Sequence, residues 1–468
     1  MAQHSRDILG QLQSAIIEIS VLKSENKRQA KLIKDQAAQI ILITKFFEER
    51  IVKLSEEIDR LRKQINTDST NSSLPPSQDQ KPNKIFNGRE KSGKKSGGQS
   101  GHPGHFLNKA DIENKIKQGL IASKIVNHGQ GTHYTSKYTI GLKTEIVVTE
   151  HRFYDEIPLA FRPDVQYDDG IKAFAATLVG RGIVASNRIV ELIASITNDE
   201  IKLSDGSIYN WLKEFDTKAA STIKDIETNL LNSPNLNVDE TGARCEGKNM
   251  CARNYSTENY VRYTMNSTKA MSGIEKDGIL PNFVGTAIHD HNTAYYNYGA
   301  RNAECNVHSD RYLKGNSENT ENKWSDDMRT LLNSSNKARK LAKGQGEKQF
   351  TQEVIETYQN KYDEILTLGF LENKETKSRY DKKEELKLLR RLKKYKSNHL
   401  LYLEDFTVPF DNNLSERDLR TFKTKMKVSG CFRSLTGGKY FATLLSVIKT
   451  ATKQNRSPYH AVKEIFAL

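Results

Sequence analysis

Three acidic side chains stand where acids can do chemistry. In "NLNVDETGAR" and "NFVGTAIHDHNTAYYNYG", Asp239 and Asp290 each follow apolar, strand-like residues, so each is expected at a strand end. In "PFDNNLSERDLR", residues 409–420, Asp411, Glu416 and Asp418 stand beside Arg417 and Arg420. Glu416 there falls inside a helix that Asp411 is placed to cap. Carboxylates on rigid elements are hard oxygen ligands that suit Mg2+. Three that converge can hold two ions about 4 Å apart, activating an attacking oxygen and stabilising a leaving one in an in-line phosphoryl transfer. The same stretch is also what a solvated, salt-bridged helix looks like. The residues alone leave Asp418 open beside Glu416 as the third acid.

Cations lie where such a site would need them. Arg420 is one helical turn after Glu416, and Asn412 one turn before it. Lys423, Lys425 and Lys427 extend the positive surface along a phosphate backbone. The whole chain carries a formal charge of +14, from 72 basic and 58 acidic residues. That excess favours polyanionic partners, nucleic acid above all, without implying any sequence preference.

The elements that must position these groups fall into seven stretches. Residues 8–66 keep a heptad rhythm: Leu12, Ile19, Ile33, Ile40, Phe47, Leu54 and Leu61 form one series and Ile16, Ile51, Ile58 and Ile65 fall in the other, with polar Asn26 and Lys23 interrupting. This pattern predicts a coiled-coil oligomerisation helix. Residues 67–106 are rich in Ser, Pro, Gly and Lys and read as a flexible tether, with Lys91, Lys94 and Lys95 available to touch DNA. Residues 107–165 are expected to contain short strands, notably over 134–153.

Residues 166–230 predict three helices, the second opened by Ser186 and the third capped by Ser204 or Asp205. The last two suggest a helix-turn-helix whose Ser207, Tyr209, Asn210 and Lys213 reach a DNA groove, though three helices packing without DNA give the same pattern. Residues 231–325 read as the first part of a mixed α/β core, with a helix from about Thr293. Residues 326–400 form a charged helical insertion, and 401–468 complete the core with Glu416 and the final helices.

The four cysteines, Cys245, Cys251, Cys305 and Cys431, form no CxxC pair, so neither a disulfide scaffold nor an all-cysteine zinc site is expected. Cys305 and His308 have CxxH spacing without a second pair, which favours packing over zinc. No signal peptide and no transmembrane run is read, so a soluble, cytoplasmic protein with no membrane partner is expected.

Taken in order, "NSSLPPSQD", "KSGKKSGGQSGHPGH", "DETG", "HDHNTAYY", "CNVHSDRYLKG", "PFDNNLSERDLR" and "SLTGGKYFATLLSVIKTATKQNRSPYHAV" resemble the insertion sequence 66 family of bacterial transposases. The resemblance implies a multidomain α and α/β fold: a coiled coil, a helical DNA-binding region, and a ribonuclease-H-like catalytic core with a helical insertion. It implies a DDE triad of Asp239, Asp290 and Glu416, which selects Glu416 over Asp418. It further implies Mg2+ (with Mn2+ able to substitute), cleavage at element ends followed by strand transfer, and double-stranded DNA as the substrate. Homo-oligomers and accessory proteins of the same element are the implied protein partners. Family members often carry a cysteine-rich zinc segment after the tether; residues 100–160 lack cysteine, and no zinc is expected. The competing expectation is a non-catalytic DNA-binding regulator or a decayed transposase, for which zipper, helices and charge suffice.

Overall fold

A computed structural model describes residues 2–68, 71–72, 108–128, 133, 135–140, 144–154, 156–158 and 165–468. Lys91, Lys94 and Lys95 lie outside the described residues. The chain divides into two compact units, one of Pro82–Asn302 with Asn412–Leu468, the other of Met1–Lys81 with Ala303–Asp411. The helical interruption of the α/β unit is therefore longer than the 326–400 expected from charge and helical period.

The first unit is built on a five-stranded mixed sheet: β1 (Asn235–Cys245), β2 (Lys248–Ser256), β3 (Val261–Asn266), β4 (Thr286–His289) and β5 (Arg301–Glu304), along which the chain leaves the unit. Its order is β3-β2-β1-β4-β5. Strands β1 and β2 form an antiparallel hairpin that pairs Cys245 with Lys248. Glu246 and Gly247 make its turn at φ 50° and 74°, the two positive values that a right-twisted two-residue hairpin requires. Strand β4 joins β1 in parallel, with Asn235 against Thr286 and Val238 against His289.

Asp239 is thus in the middle of a strand, not at its end as the sequence suggested. The apolar run that precedes it is only the half of β1 that pairs with β4; the polar half continues as the hairpin. Asp290 does follow its strand directly. The helix expected near Thr293 is a single 3-10 turn, Tyr295–Asn297.

Two helices close over the sheet. Leu435–Lys453 is long and apolar because it is buried along most of its length, with Phe441, Leu444, Leu445 and Ile448 in the core. Its hydroxyls also satisfy the edge of β3: the Tyr263 and Val261 amides donate to Ser446 Oγ (2.9 Å) and Thr450 Oγ1 (3.1 Å). Gly438 permits the close approach, since a Cβ there would lie 2.2 Å from Met265 Sδ. The helix Asn413–Ser429 packs Leu419 and Phe422 inward. Its N-cap residue is Asn412, not Asp411, and Asn412 makes no side-chain cap bond.

Upstream, helices Asp169–Gly180, Ser186–Ile196 and Asp205–Lys218 form as expected, the last capped by Ser204 accepting the Ser207 amide at 3.1 Å. Eight residues, Thr197–Ser204, separate the second helix from the third, where a compact helix-turn-helix has three or four. A fourth helix, Ala220–Leu231, leads into β1. The strands expected over 134–153 do not form among the described residues. Val147 and Val148 there are 78% and 89% exposed, and a β-rich segment without a pairing partner has no ladder to join. The described regular element of 107–165 is the helix Lys109–Lys117.

The second unit is helical. Ala2–Asn66 is one continuous helix, and its heptad residues, Leu12, Ile33 and Leu54 among them, are exposed. Its C-terminal end is tied to the helix Arg379–Lys394: Arg379 pairs with Glu56 at 3.0 Å, and Asp59 accepts the Ser378 hydroxyl at 2.8 Å. Helices Asn306–Thr320, Trp324–Gly344, Gln352–Glu375 and Lys396–Glu404 complete the unit.

Candidate active site

Sheet register brings the first two acids together. Val238 opposite His289 makes Asp239 and Asp290 the residues that directly follow this last parallel pair, near enough that the Asp290 charge acts on the Asp239 carboxyl. The third acid comes from the helix that packs on β1. Asn412, just before that helix, donates its amide to the Val238 carbonyl at 2.8 Å and accepts from Asn237 Nδ2 at 2.9 Å. Ser415 donates to Asn254 Oδ1 at 2.8 Å, and the Asn254 amide returns to the Ser415 carbonyl at 3.0 Å. These bonds hold the first turn, and with it Glu416, against the strand that carries Asp239. A carboxylate oxygen of Glu416 lies within 4.8 Å of one from Asp290.

The geometry also separates Glu416 from Asp418. Asp418 is buried and forms an ion pair with Lys453 Nζ at 2.8 Å, so it serves packing between helices. Asn412 needs a correction too. Expected to face DNA, it is fully buried, and its amide is consumed by β1. Arg420, Lys423 and Lys427 are exposed at the four- and three-residue spacings that continue the Glu416 face of the helix. Lys425 points elsewhere, half-buried with Nζ 5.6 Å from the Phe441 ring centre, and burial lowers its pKa. Of the helix-turn-helix candidates, Tyr209, Asn210 and Lys213 are exposed, with Tyr209 packed beside Tyr440. Ser207 is half-buried within the helix cap. In the helical unit, Cys305 and His308 touch, with Sγ and Nδ1 3.3 Å apart.

Electrostatics mark Asp239. Burial first, and the neighbouring Asp290 second, push its carboxyl up to about 8, while Lys423 and the Glu240 amide, which donates to Asp239 Oδ1 at 2.8 Å, pull the other way. Below pH 3.8, the ordinary carboxyl value, Asp239 is neutral folded or unfolded and carries no penalty. Between there and about 8 the unfolded chain ionises while the folded one keeps its proton, so stability drains as pH rises, by up to about 1.4 kcal/mol per unit. Above that window the loss is complete. In thermal melts with chelator present, Asp239→Asn will therefore melt above the wild type at pH 8, and the gap will close toward pH 4. A gap independent of pH would show that burial does not hold this proton.

The sequence did not single out Glu240, Asn292, Tyr295 and Arg253. All four join in one network on the other side of the sheet, through Asn292 Nδ2 to Glu240 Oε1 (2.9 Å), the Tyr295 hydroxyl to Glu240, and Arg253 Nε to the Tyr295 hydroxyl (3.2 Å). Strand alternation after Asp239 was the available signal.

Comparison with known proteins agrees with the order of motifs. A family model described as "Transposase IS66 family" matches residues 166–440, more than half of the chain. A model for a family of unknown function (DUF6444) matches residues 15–108. Over 74 residues the chain is 42% identical to "Uncharacterized protein y4jO" of Sinorhizobium fredii (strain NBRC 101917 / NGR234), covering 16% of this chain and 23% of that protein. The match thus spans less than a quarter of that relative's length.

Proposed function

Because the chain belongs to the IS66 family of transposases, we propose that it cuts DNA at the ends of a mobile element and joins the freed ends to a target, with Asp239, Asp290 and Glu416 as its metal-binding acids. The observation that carries this reading is the placement of three acids from distant parts of the sequence: Asp239 and Asp290 each directly follow the last pair of the β1–β4 ladder, and a Glu416 oxygen lies within 4.8 Å of one from Asp290. A sheet of order β3-β2-β1-β4-β5, three strands antiparallel and β4 added in parallel, supports a ribonuclease-H-like core.

The donors fit Mg2+ or Mn2+, both of which take carboxylate oxygens. The raised Asp239 supports the same reading, because a buried acid repelled by a half-buried one beside it is relieved by a divalent cation between them. When bound, such ions supply activation of the attacking oxygen and stabilisation of the leaving one. The chain's own groups do the rest. The acids would hold the ions, and Lys423, Arg420 and Lys427 position the strand by holding phosphates along one helix face. The exposed heptad stripe of Ala2–Asn66 suits a second copy of the chain, so that two element ends can be paired.

The test is a labelled duplex carrying the element's terminal repeat, incubated with the chain, any companion proteins of the element, and Mg2+ or Mn2+. Nicking at the repeat boundary that disappears with chelator is the expected result. Sequence-specific binding that never proceeds to nicking would favour a non-catalytic regulator instead.

A further inference from the structure

The parallel ladder that aligns Asp239 with Asp290 stops one residue short of both, at Val238 and His289. Something else must hold the turn that begins with Asp290. Glu240, next along β1, points to the opposite face of the sheet. There it accepts Asn292 Nδ2 at 2.9 Å and the Tyr295 hydroxyl, and it pairs with Lys269 Nζ at 3.0 Å. Both neutral donors belong to the turn after Asp290. Within that turn the Asn292 amide donates to the Asp290 carbonyl at 2.6 Å, and Asn292 Oδ1 accepts the Ala294 amide at 3.1 Å.

The far side of the network is anchored as well. Arg253 sits opposite Glu240 on β2, donates to the Tyr295 hydroxyl at 3.2 Å, and is paired with Asp277 in the interior. Arg253 and Tyr295 are each 1% exposed, so neither has room to drift. Glu240 itself is occupied by three donors, and its side chain is only 11% exposed. It is therefore turned away from the face that carries the acids.

We propose that Glu240 is a positioning residue: by gripping Asn292 and Tyr295 it keeps Asp290 beside Asp239 at the spacing a divalent ion requires. This rests on the metal-binding reading above. Its test measures Mn2+ affinity of the full chain without DNA, by the loss of free-ion paramagnetic resonance signal, alongside end cleavage over a range of Mn2+.

Glu240→Ala and Tyr295→Phe will weaken Mn2+ binding about 10- to 100-fold. Glu240→Gln, which retains one accepting oxygen, will fall between them and the wild type. High Mn2+ will restore most of the cleavage rate, because the three acids remain. A purely structural role would lower the melting temperature and leave the affinity of the folded protein unchanged. Should Glu240→Ala fail to fold, Tyr295→Phe, which removes one oxygen atom, decides. Wild-type affinity in these variants, with affinity lost in Asp239→Asn and Asp290→Asn, overturns the positioning role alone. Wild-type affinity in the two aspartate variants overturns the metal reading, and the positioning role with it.

Discussion

Asp290→Asn and Glu416→Gln will each lower strand cleavage at element ends by a factor on the order of 10^3 while leaving DNA binding and folding intact. Both changes keep side-chain volume and remove one negative charge. On the proposed reading, what is lost is the field that would hold divalent ions where charge develops, and removal of one such preorganised group typically costs about 10^2- to 10^3-fold. Asp239→Asn belongs to the same series but adds a diagnostic. Its carboxyl is pushed up to about 8 by burial and by Asp290, so its neutral replacement lifts a strain. The variant that loses activity should therefore be the more stable protein at pH 8 without metal. An inactive enzyme that melts higher cannot be inactive through misfolding. Cleavage within about threefold of wild type in any one of the three would remove that residue from the site.

The opposition between stability and activity follows from how the acids are brought together. Sequence reading singled out these three acids because each stands at a change of pattern: an apolar run ends at Asp239 and again at Asp290, and a charged helix begins near Glu416. It misread Asp239 as terminal because the pairing of β1 is decided elsewhere. Asn235–Val238 meet β4, some fifty residues on, whereas the pairing with β2 starts at Asn237 and runs past Asp239 to Cys245. No local propensity encodes that division.

Asn412 shows the same limit. An asparagine before a helix reads as a cap or a surface donor, yet here the Val238 carbonyl and Asn237 take both ends of its amide. Among the described residues, the strands expected over 134–153 do not form for a related reason: β-branched residues permit a strand, but only a partner makes one. By contrast, the continuous helix Ala2–Asn66 and the Ser204 cap are local matters of period and side-chain hydrogen bonding, and they formed as read. Alternation along β1 would have put Glu240 behind Asp239; its partners Asn292 and Tyr295 could not be named without the fold.

In the helical unit, Glu385→Ala will cost about 3–5 kcal/mol of stability, enough to unfold the unit in a marginal protein. Glu385 is fully buried. Its Oε1 accepts Trp324 Nε1 (2.7 Å), Asn322 Nδ2 (2.7 Å) and Asn316 Nδ2 (3.1 Å), and its Oε2 accepts Asn373 Nδ2 (2.8 Å) and Thr376 Oγ1 (2.9 Å). Four helices and the segments between them thus converge on one carboxylate. Burial alone would push its pKa up, but the donors, Trp324 foremost, outweigh burial and hold it below the ordinary 4.5. With the folded value depressed, the stabilisation is present above pH 4.5 and is lost as pH falls through the folded value. Glu385→Gln is no conservative change, because its amide nitrogen would face donors where an acceptor is needed, and it should lose most of what Ala loses. Trp324, buried against Glu385, reports the event once the other tryptophan is removed by Trp211→Phe: its emission should shift to the red at lower denaturant in both variants and at acid pH with Glu385 intact. A Glu385→Ala protein that unfolds within about 1 kcal/mol of wild type would mean that the five donors find other partners, and that this carboxylate is not what holds the four helices together.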